Sequence, residues 1–341
     1  MQPPKKNGVL VLGLILLALV MLLAVGVGSV NMAPAEIISI IRSVVQGADP
    51  EHLGGQAMVL LGLRLPRVIL AALVGAALAG SGVAFQALFQ NPLADPYIVG
   101  VSAGAGLGAT VVIGFGLAIL GSQVLAVNLS AFVGALAISY LVYRIAYQRR
   151  GVSNLLLLLA GMAVSAFLSA VISLVMVLGS RNLAETVYWL MGGFTGRGWS
   201  ELWLAVPCVT VGLAGLWLLR RELNMLLLPE DDARSLGVDV GRVKVMVLGY
   251  ASLMAAAGVS VSGLIGFVGL VVPHGARMVV GPDHRYLIPT SVIYGAVVMV
   301  LADLLARTAV APLELPVGAI TALFGAPFFL YLLIKAKSGR M

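Results

Sequence analysis

Long uncharged stretches alternate with short charged segments along the whole chain. Residues 8–30, 68–94, 96–143 and 151–180 contain no Asp, Glu, Lys or Arg. Because a helix needs about 20 apolar residues to cross a bilayer, these stretches predict five spanning helices, two of them within 96–143 with a reversal near 121–123. The first stretch exceeds the apolar part of a signal peptide, about 7 to 15 residues, so we interpret it as a retained helix.

The second half of the chain predicts further spanning helices at about 202–219, 286–306 and 316–334. Residues 245–280 fit either two short spans that reverse near 258–263 or one long span. Two short spans give an even total of about ten helices, with both termini on the same side of the membrane. We favour two spans for that reason.

Two segments outside these spans are predicted to carry short helices. Residues 31–63 form a loop with an amphipathic helix at about 34–46. Residues 181–200 form an outer loop that contains an interfacial helix. Tyr188 and Trp189 are predicted to anchor that helix, because Tyr and Trp are enriched where membrane meets water.

The composition supports a membrane protein. Of the residues, 60% are hydrophobic and 10% charged, and the mean hydropathy is +1.06; soluble folds do not have this composition. The fold class is therefore an all-α polytopic membrane protein, with one transmembrane domain over residues 1–341. A single cysteine, Cys208, excludes an internal disulfide, and the three histidines show no metal-ligand spacing, so no metal site is predicted.

The distribution of Lys and Arg predicts the orientation. With the amino terminus inside, 15 of the 21 basic residues lie on the inner side and 6 on the outer side, as the positive-inside rule requires. Both termini are therefore predicted on the cytoplasmic side of the membrane. The same rule explains the net charge of +7 without a nucleic-acid partner. The outer basic residues are Arg42, Arg64, Arg67, Arg181, Arg197 and Arg307.

The segment 223–244 has an unusual charge density for this chain. It contains three consecutive acidic residues beginning at Glu230 and several basic ones, so it must face water. Acidic residues favour a helix amino terminus and glycine favours the end of a helix, which predicts a short helix from about Pro229 to Gly237. A solvated loop is the alternative, but a compact capped helix in an inner loop suits a groove on another protein.

One motif resembles a catalytic one. The sequence GVSAG at 100–104 has the Gly-x-Ser-x-Gly form of a hydrolase nucleophile turn. No histidine is placed to activate Ser102, so close helix packing by small residues is the favoured interpretation and no catalytic residue is assigned. The chain also lacks a phosphate-binding P-loop, so any ATP-driven work requires a partner subunit.

Polar residues within the spans allow more than one interpretation. Asp303 lies one helical turn before Arg307, which favours a structural ion pair over a proton-transport site. Helix five carries small or weakly polar residues every fourth position, and these fit a water-accessible path and close helix packing equally well. Arg64, Arg67 and Arg307 lie at the outer interface, where they either extend to lipid headgroups or bind carboxylates of a soluble partner.

Five stretches together resemble one family, the FecCD-type permeases of ABC importers for iron siderophores, haem and cobalamin. They cover nearly the whole chain in the order that the family has. The stretches are 64–108, 188–194 (YWLMGGF), 228–238 (LPEDDARSLGV), 266–277 (GFVGLVVPHGAR) and 314–333.

The resemblance implies an importer assembled from several chains in the cytoplasmic (inner) membrane of a bacterium or archaeon. A ten-helix subunit with the type II ABC importer permease fold is expected to pair with a second copy of itself, with the path along the dimer interface. Two cytoplasmic ABC ATPase subunits would use ATP, and a periplasmic or lipid-anchored binding protein would deliver the substrate. The chain itself would bind no cofactor. Which chelate is carried stays open, although YWLMGGF and the last helix look closest to cobalamin permeases.

The resemblance also implies residue roles. The segment 223–240 is expected to couple to the ATPase through Pro229, Glu230, Ala233, Arg234, Leu236 and Gly237. The binding protein is expected to dock on Arg64, Arg67 and Arg307. The pathway would be lined by Gly161, Ser165, Ser169 and Ser173. The cytoplasmic gate would contain Asn91, Leu93, Ser153 and Asn154.

Overall fold

The computed structural model describes residues 6–28, 32–148, 151–179 and 182–337. The α-helices are α1 (Lys6–Gly26), α2 (Pro34–Val45), α3 (Gly55–Val59), α4 (Leu65–Leu88), α5 (Val101–Phe115), α6 (Gln123–Ala146), α7 (Asn154–Leu178), α8 (Leu183–Met191), α9 (Trp199–Leu218), α10 (Arg220–Met225), α11 (Glu230–Ser235), α12 (Val240–Ser262), α13 (Val268–Val280), α14 (His284–Thr308) and α15 (Val317–Lys337). Short 3₁₀ turns cover Pro50–Leu53 and Pro96–Val99, and β1 (Tyr147–Gln148) pairs antiparallel with β2 (Gly151–Val152).

The helices confirm an all-α fold with about ten apolar segments. Within the described residues, seven helices are long and apolar enough to span a membrane, and α5, α13 and the stretch 317–331 of α15 are shorter apolar helices. The predicted reversals lie at 116–122 and 263–267. The second divides 245–280 into two helices, α12 and α13, rather than one, but it begins only after Ser262, later than the predicted reversal at 258–263, and α13 is a short apolar helix of 13 residues. The amphipathic helix predicted at 34–46 is α2.

Two local expectations are wrong. Residues 55–63 are helical rather than loop, because α3, a π-helical segment Leu60–Arg64 and α4 run on as one helix from Gly55 to Leu88. The interfacial helix α8 exists, but of its two predicted anchors Tyr188 is exposed, at 45%, whereas Trp189 is buried at 8%. Trp189 packs into the core instead of anchoring α8 at the interface.

The most buried helices, α4 and α12, form the centre of the bundle. Helix α4 packs against α9, α12, α13 and α14. Glycine permits two of these contacts, since a Cβ on Gly82 would overlap the carbonyl oxygen of Gly269 in α13, and one on Gly75 would overlap that of Gly295 in α14. Small residues that let backbones approach closely are how membrane helices associate.

The GVSAG motif serves the same kind of packing. Gly100 has a φ of 81° at the residue before α5, a conformation that glycine adopts without strain. A Cβ on Gly104 would overlap the carbonyl oxygen of Gly134 in α6. The glycines of the motif therefore position α5 against α6, as the packing interpretation predicted.

Candidate functional site

The charged segment predicted to contact a partner forms two short helices, α10 and α11, between α9 and α12. The acidic first turn of α11 begins at Glu230, and Gly237 follows the helix with a φ of 86°. Ala233 is buried, while Pro229, Arg234 and Leu236 are exposed. This geometry confirms a capped helix with one buried face and leaves most of its polar surface open to solvent.

Hydrogen bonds connect this segment to three long helices. Lys244 of α12 lies 3.3 Å from Glu230. The Gln90 amide, at the end of α4, donates to the carbonyl oxygens of Leu226 and Leu228 at 2.7 and 3.1 Å. The Asn224 amide donates to Asp283, just before α14, at 3.0 Å. Gln90, Asn224 and Asp283 were not singled out from the sequence, because their hydrogen bonds join residues that lie 59 or more positions apart along the chain.

Asp283 is also the N-cap of α14. Its carboxylate accepts hydrogen bonds from the Asn224 amide and from the backbone N–H of Arg285. These two bonds, in that order of importance, lower the pKa of Asp283 below its ordinary value. The contact between α10 and α14 is therefore a charge-assisted one at neutral pH.

The four predicted gate residues lie in two adjoining turns. The Asn91 side chain accepts a hydrogen bond from the Leu93 backbone N–H at 2.9 Å, and Ser153 is the N-cap of α7. The Asn154 amide of α7 donates to the Leu88 carbonyl oxygen of α4 at 2.7 Å. The turn after α4 thus contacts α7 on one side and, through Gln90, the α10–α11 segment on the other.

The predicted pathway residues on α7 divide into two environments. Gly161 is buried, and a Cβ there would overlap the carbonyl oxygen of Ile98, so its small size serves packing. Ser169 and Ser173 are exposed, and their hydroxyls donate to the backbone oxygens of Ser165 and Ser169 at 2.9 and 3.0 Å. Of the two interpretations that the sequence left equal, packing therefore applies to Gly161, whereas Ser169 and Ser173 lie on a surface that no other part of the described chain covers.

Much of the α7 surface is apolar and uncovered. The helix packs against α5, α6 and the 3₁₀ turn at 96–99. On its other side Met162, Phe167, Leu174 and Val177 are 61%, 68%, 64% and 75% exposed. This face is available to lipid or to another helix.

At the opposite end of the bundle, an ionic cluster joins α4, α14 and the loop before α15. Arg67 binds Asp303 at 2.9 Å and Glu314 at 3.0 Å. Arg307 lies 3.4 Å from Asp303, which confirms the predicted pair. The side chain of Asp303 is fully buried, and those of Arg67 and Arg307 are 13% and 8% exposed.

Two of the outer arginines also hold the end of α1. Arg64 donates to the carbonyl oxygens of Val25 and Gly26 at 3.0 and 3.2 Å, and Arg307 donates to that of Val27 at 3.1 Å. The last carbonyls of a helix lack intrahelical partners and attract cations. The three arginines therefore share one end of the bundle, as predicted, but they are largely committed to contacts within the chain.

Glu314 is the most accessible acid of this cluster, with 31% of its side chain exposed. Thr195 donates to its carboxylate, and Tyr188 of α8 donates to its backbone oxygen at 2.7 Å. Partial burial is the largest influence on its pKa and raises it, but the hydrogen bonds from Arg67 and Thr195 together with the arginine charges leave the pKa below its ordinary value. Glu314 is thus an ionised link between α4, α8 and the loop at 192–198.

The sequence over 16–335, which contains all of these features, matches the model of one family, the FecCD transport family. The chain belongs to that family. A relative named as the cobalamin import system permease protein BtuC, from Halobacterium salinarum, is 50% identical over 81% of this chain and 74% of its own length. The hemin transport system permease protein HmuU from Yersinia pestis is 43% identical over 82% of this chain and 84% of its own length.

A solved structure supports the same assignment. It is described as an inward-facing conformation of a metal-chelate type ABC transporter and has a TM-score of 0.84 and 33% identity, with 96% of this chain and 99% of that chain covered. The chain is accordingly a permease subunit of the metal-chelate ABC importer family. Such a subunit is a transport component and not an enzyme.

Proposed function

We propose that two copies of this chain form the membrane channel of an ATP-driven importer for a metal chelate, namely cobalamin, haem or a ferric siderophore. Import would proceed by alternating access at the interface between the copies. The energy would come from two cytoplasmic ATPase subunits, and a periplasmic or lipid-anchored binding protein would deliver the substrate. The chain would need no cofactor of its own. The names of the relatives, which specify cobalamin and hemin, support this substrate class.

The observation that carries the proposal is the position of α11. It is exposed, yet Lys244, Gln90 and Asn224 connect its segment to α12, α4 and α14. A movement imposed on α11 would therefore be transmitted to three long helices. The turn after α4 extends the connection to the start of α7, where the proposed gate lies.

The exposed apolar face of α7 supports pairing with a second copy. Contact there would cover Phe167 and Leu174 and bring Ser169 and Ser173 close to the interface. Large exposed apolar patches commonly mark interaction surfaces, although lipid solvates such a face as well. A path along this interface would present serine hydroxyls to the substrate.

ATP dependence tests the proposal directly. The permease is reconstituted in vesicles with ATPase subunits from the same organism, and the binding protein is supplied outside. These vesicles are expected to accumulate the chelate only when ATP is inside with the ATPase subunits. A proton-coupled carrier, the alternative function, would instead concentrate the chelate under a proton gradient without the ATPases. Accumulation by vesicles that contain only the permease would refute the proposed coupling.

Docking of the binding protein on Arg64, Arg67 and Arg307 is part of the proposal, but it requires an exchange of partners. An acid of the binding protein reaches Arg67 only by replacing Glu314, because Asp303 and Glu314 already occupy that guanidinium. Arg64 and Arg307 would support the exchange through their positive charge, since their hydrogen bonds are directed to α1.

Glu314→Gln is therefore expected to strengthen docking, because it removes the carboxylate that competes for Arg67. The gain should be about twofold to fivefold in Kd, the range for a partly exposed ion pair. Titration of the detergent-solubilised importer with labelled binding protein measures it. Glu185→Gln is the matched control, since Glu185 is an exposed acid of α8 whose loss should leave Kd unchanged. Weaker docking of Glu314→Gln would show that Glu314 supports the interface instead.

A further inference from the structure

A cleft of about 870 Å³ opens beside α11, between the end of α6 and the start of α12. Its walls include two tyrosines, Tyr143 and Tyr147, whose ring centroids lie 5.8 Å apart. They also include Arg234 of α11, Arg242 of α12 and Asp239, the N-cap of α12. Aromatic rings beside exposed cations are typical of the boundary between membrane and water.

A second cleft of about 340 Å³ lies farther along α6 and α12. Tyr143 and Val245 line both clefts, so the two adjoin. The second one is mainly apolar, with Leu136, Leu248 and Gly249 in its walls and a hydrogen bond of 2.7 Å between Ser139 and Ser252. The combined groove is thus polar and cationic at the α11 end and apolar along the helices.

The cations in the groove keep donors for a further ligand. Arg234 binds Glu230 at 2.7 Å through one nitrogen, and Arg242 binds Asp239 at 2.9 Å through Nε. A guanidinium has five N–H donors, and the remaining ones on both side chains have no protein acceptor among the described residues. Two planar forks on adjacent helices, α11 and α12, suit the oxygens of a phosphate.

We propose that this groove binds an anionic phospholipid. The phosphate would lie between Arg234 and Arg242, and one acyl chain would occupy the apolar cleft along Val245 and Gly249. The polar-to-apolar order of the groove follows that of a phospholipid, and the surrounding bilayer supplies the ligand. Basic clefts between spanning helices on the cytoplasmic side are suited to anionic headgroups. Bound in this way, the headgroup would bridge α11 and α12 and would brace the segment that carries α11.

Lipid retention by the full chain tests this site without any measurement of transport. Native mass spectrometry would count the lipids held by the purified protein in phosphatidylglycerol or in phosphatidylcholine with the same acyl chains. We expect the wild type to retain phosphatidylglycerol preferentially. Arg242→Gln should weaken that retention about fivefold, the factor that corresponds to about 1 kcal/mol per basic residue. Arg221→Gln is the matched control, because Arg221 is an exposed cation of α10 outside the cleft walls.

A second variant fills the apolar cleft. Apart from its chain neighbours and the backbone of its own helix, no atom lies within 4 Å of a Cβ built on Gly249, so Gly249→Leu fits α12 and improves its helix propensity. It should abolish retention of the lipid while the protein stays folded. Equal retention of the two lipids by the wild type, or equal losses in Arg242→Gln and Arg221→Gln, would overturn the proposal. So would a Gly249→Leu protein that separates into single chains with an unchanged lipid count, since a second copy would then occupy the groove.

Discussion

Replacing Asp303 with Asn is expected to reduce the free energy of unfolding by about 3–5 kcal/mol, the cost of breaking a buried ion pair by removing one partner. Asp303 is fully buried and lies 2.9 Å from Arg67 and 3.4 Å from Arg307. The neutral amide would leave Arg307 without a carboxylate and Arg67 with Glu314 alone. Denaturant unfolding in mixed micelles measures the loss.

The control for this prediction is an aspartate whose side chain is exposed to solvent. Asp231 is exposed in the first turn of α11, and Asp231→Asn should cost less than about 1 kcal/mol, the usual value of a carboxylate near a helix amino terminus. Uptake provides a second readout. A proton-carrying Asp303 would give a variant with normal stability and no uptake, and that outcome would favour the secondary-transport alternative over a structural ion pair.

Much of the helical arrangement could be predicted from the sequence because the bilayer imposes it. A spanning helix satisfies its backbone groups internally and requires a long apolar stretch, and uncharged stretches are visible without any tertiary information. The reversal near 121–123 was predictable for a different reason, the backbone freedom of glycine. Gly116 and Gly121 adopt positive φ values of 63° and 75°, and glycine adopts them without strain.

Residues 55–63 are helical although the sequence predicted a loop. The charged residues between Glu36 and Glu51 predict a loop that extends to residue 63, with Arg64 where helix two enters the membrane from outside. In the fold the Arg64 guanidinium reaches the carbonyl oxygens of Val25 and Gly26, which compensate the charge and allow the helix to continue through it. Those acceptors are 39 and 38 residues away, so local sequence did not reveal them.

The ionic cluster likewise contains one contact that the sequence predicts and two that it does not. The pair of Asp303 and Arg307 follows from helical spacing. Arg67, however, finds Asp303 and Glu314 at separations of 236 and 247 residues. The sequence therefore predicted a shared face for the arginines and the pair formed by Arg307, but not that Arg67 already binds two carboxylates of its own chain, which is why docking there now requires an exchange.

The coupling role of α11 predicts that Gly237→Pro abolishes chelate uptake while ATP hydrolysis and membrane insertion persist. Gly237 has a φ of 86°, whereas proline is restricted to about −65°, and its N–H donates to the Arg234 oxygen at 2.9 Å. Proline would thus deform the end of α11. Arg234→Glu, which reverses a charge on the exposed face, should uncouple as well. Uptake and phosphate release, measured in the same vesicles, give the ratio that defines coupling.

Gly47 provides a matched control for the backbone effect. It follows α2, has a φ of 94°, and its N–H donates to the Val44 oxygen three residues before it, also at 2.9 Å. Gly47→Pro therefore imposes the same kind of local strain in a segment that contributes neither to the proposed contact with the ATPase nor to the contact between α10 and α14. If both proline variants lose uptake to the same extent, strain alone explains the loss. Only if the loss is confined to Gly237→Pro and Arg234→Glu does force enter the permease through α11.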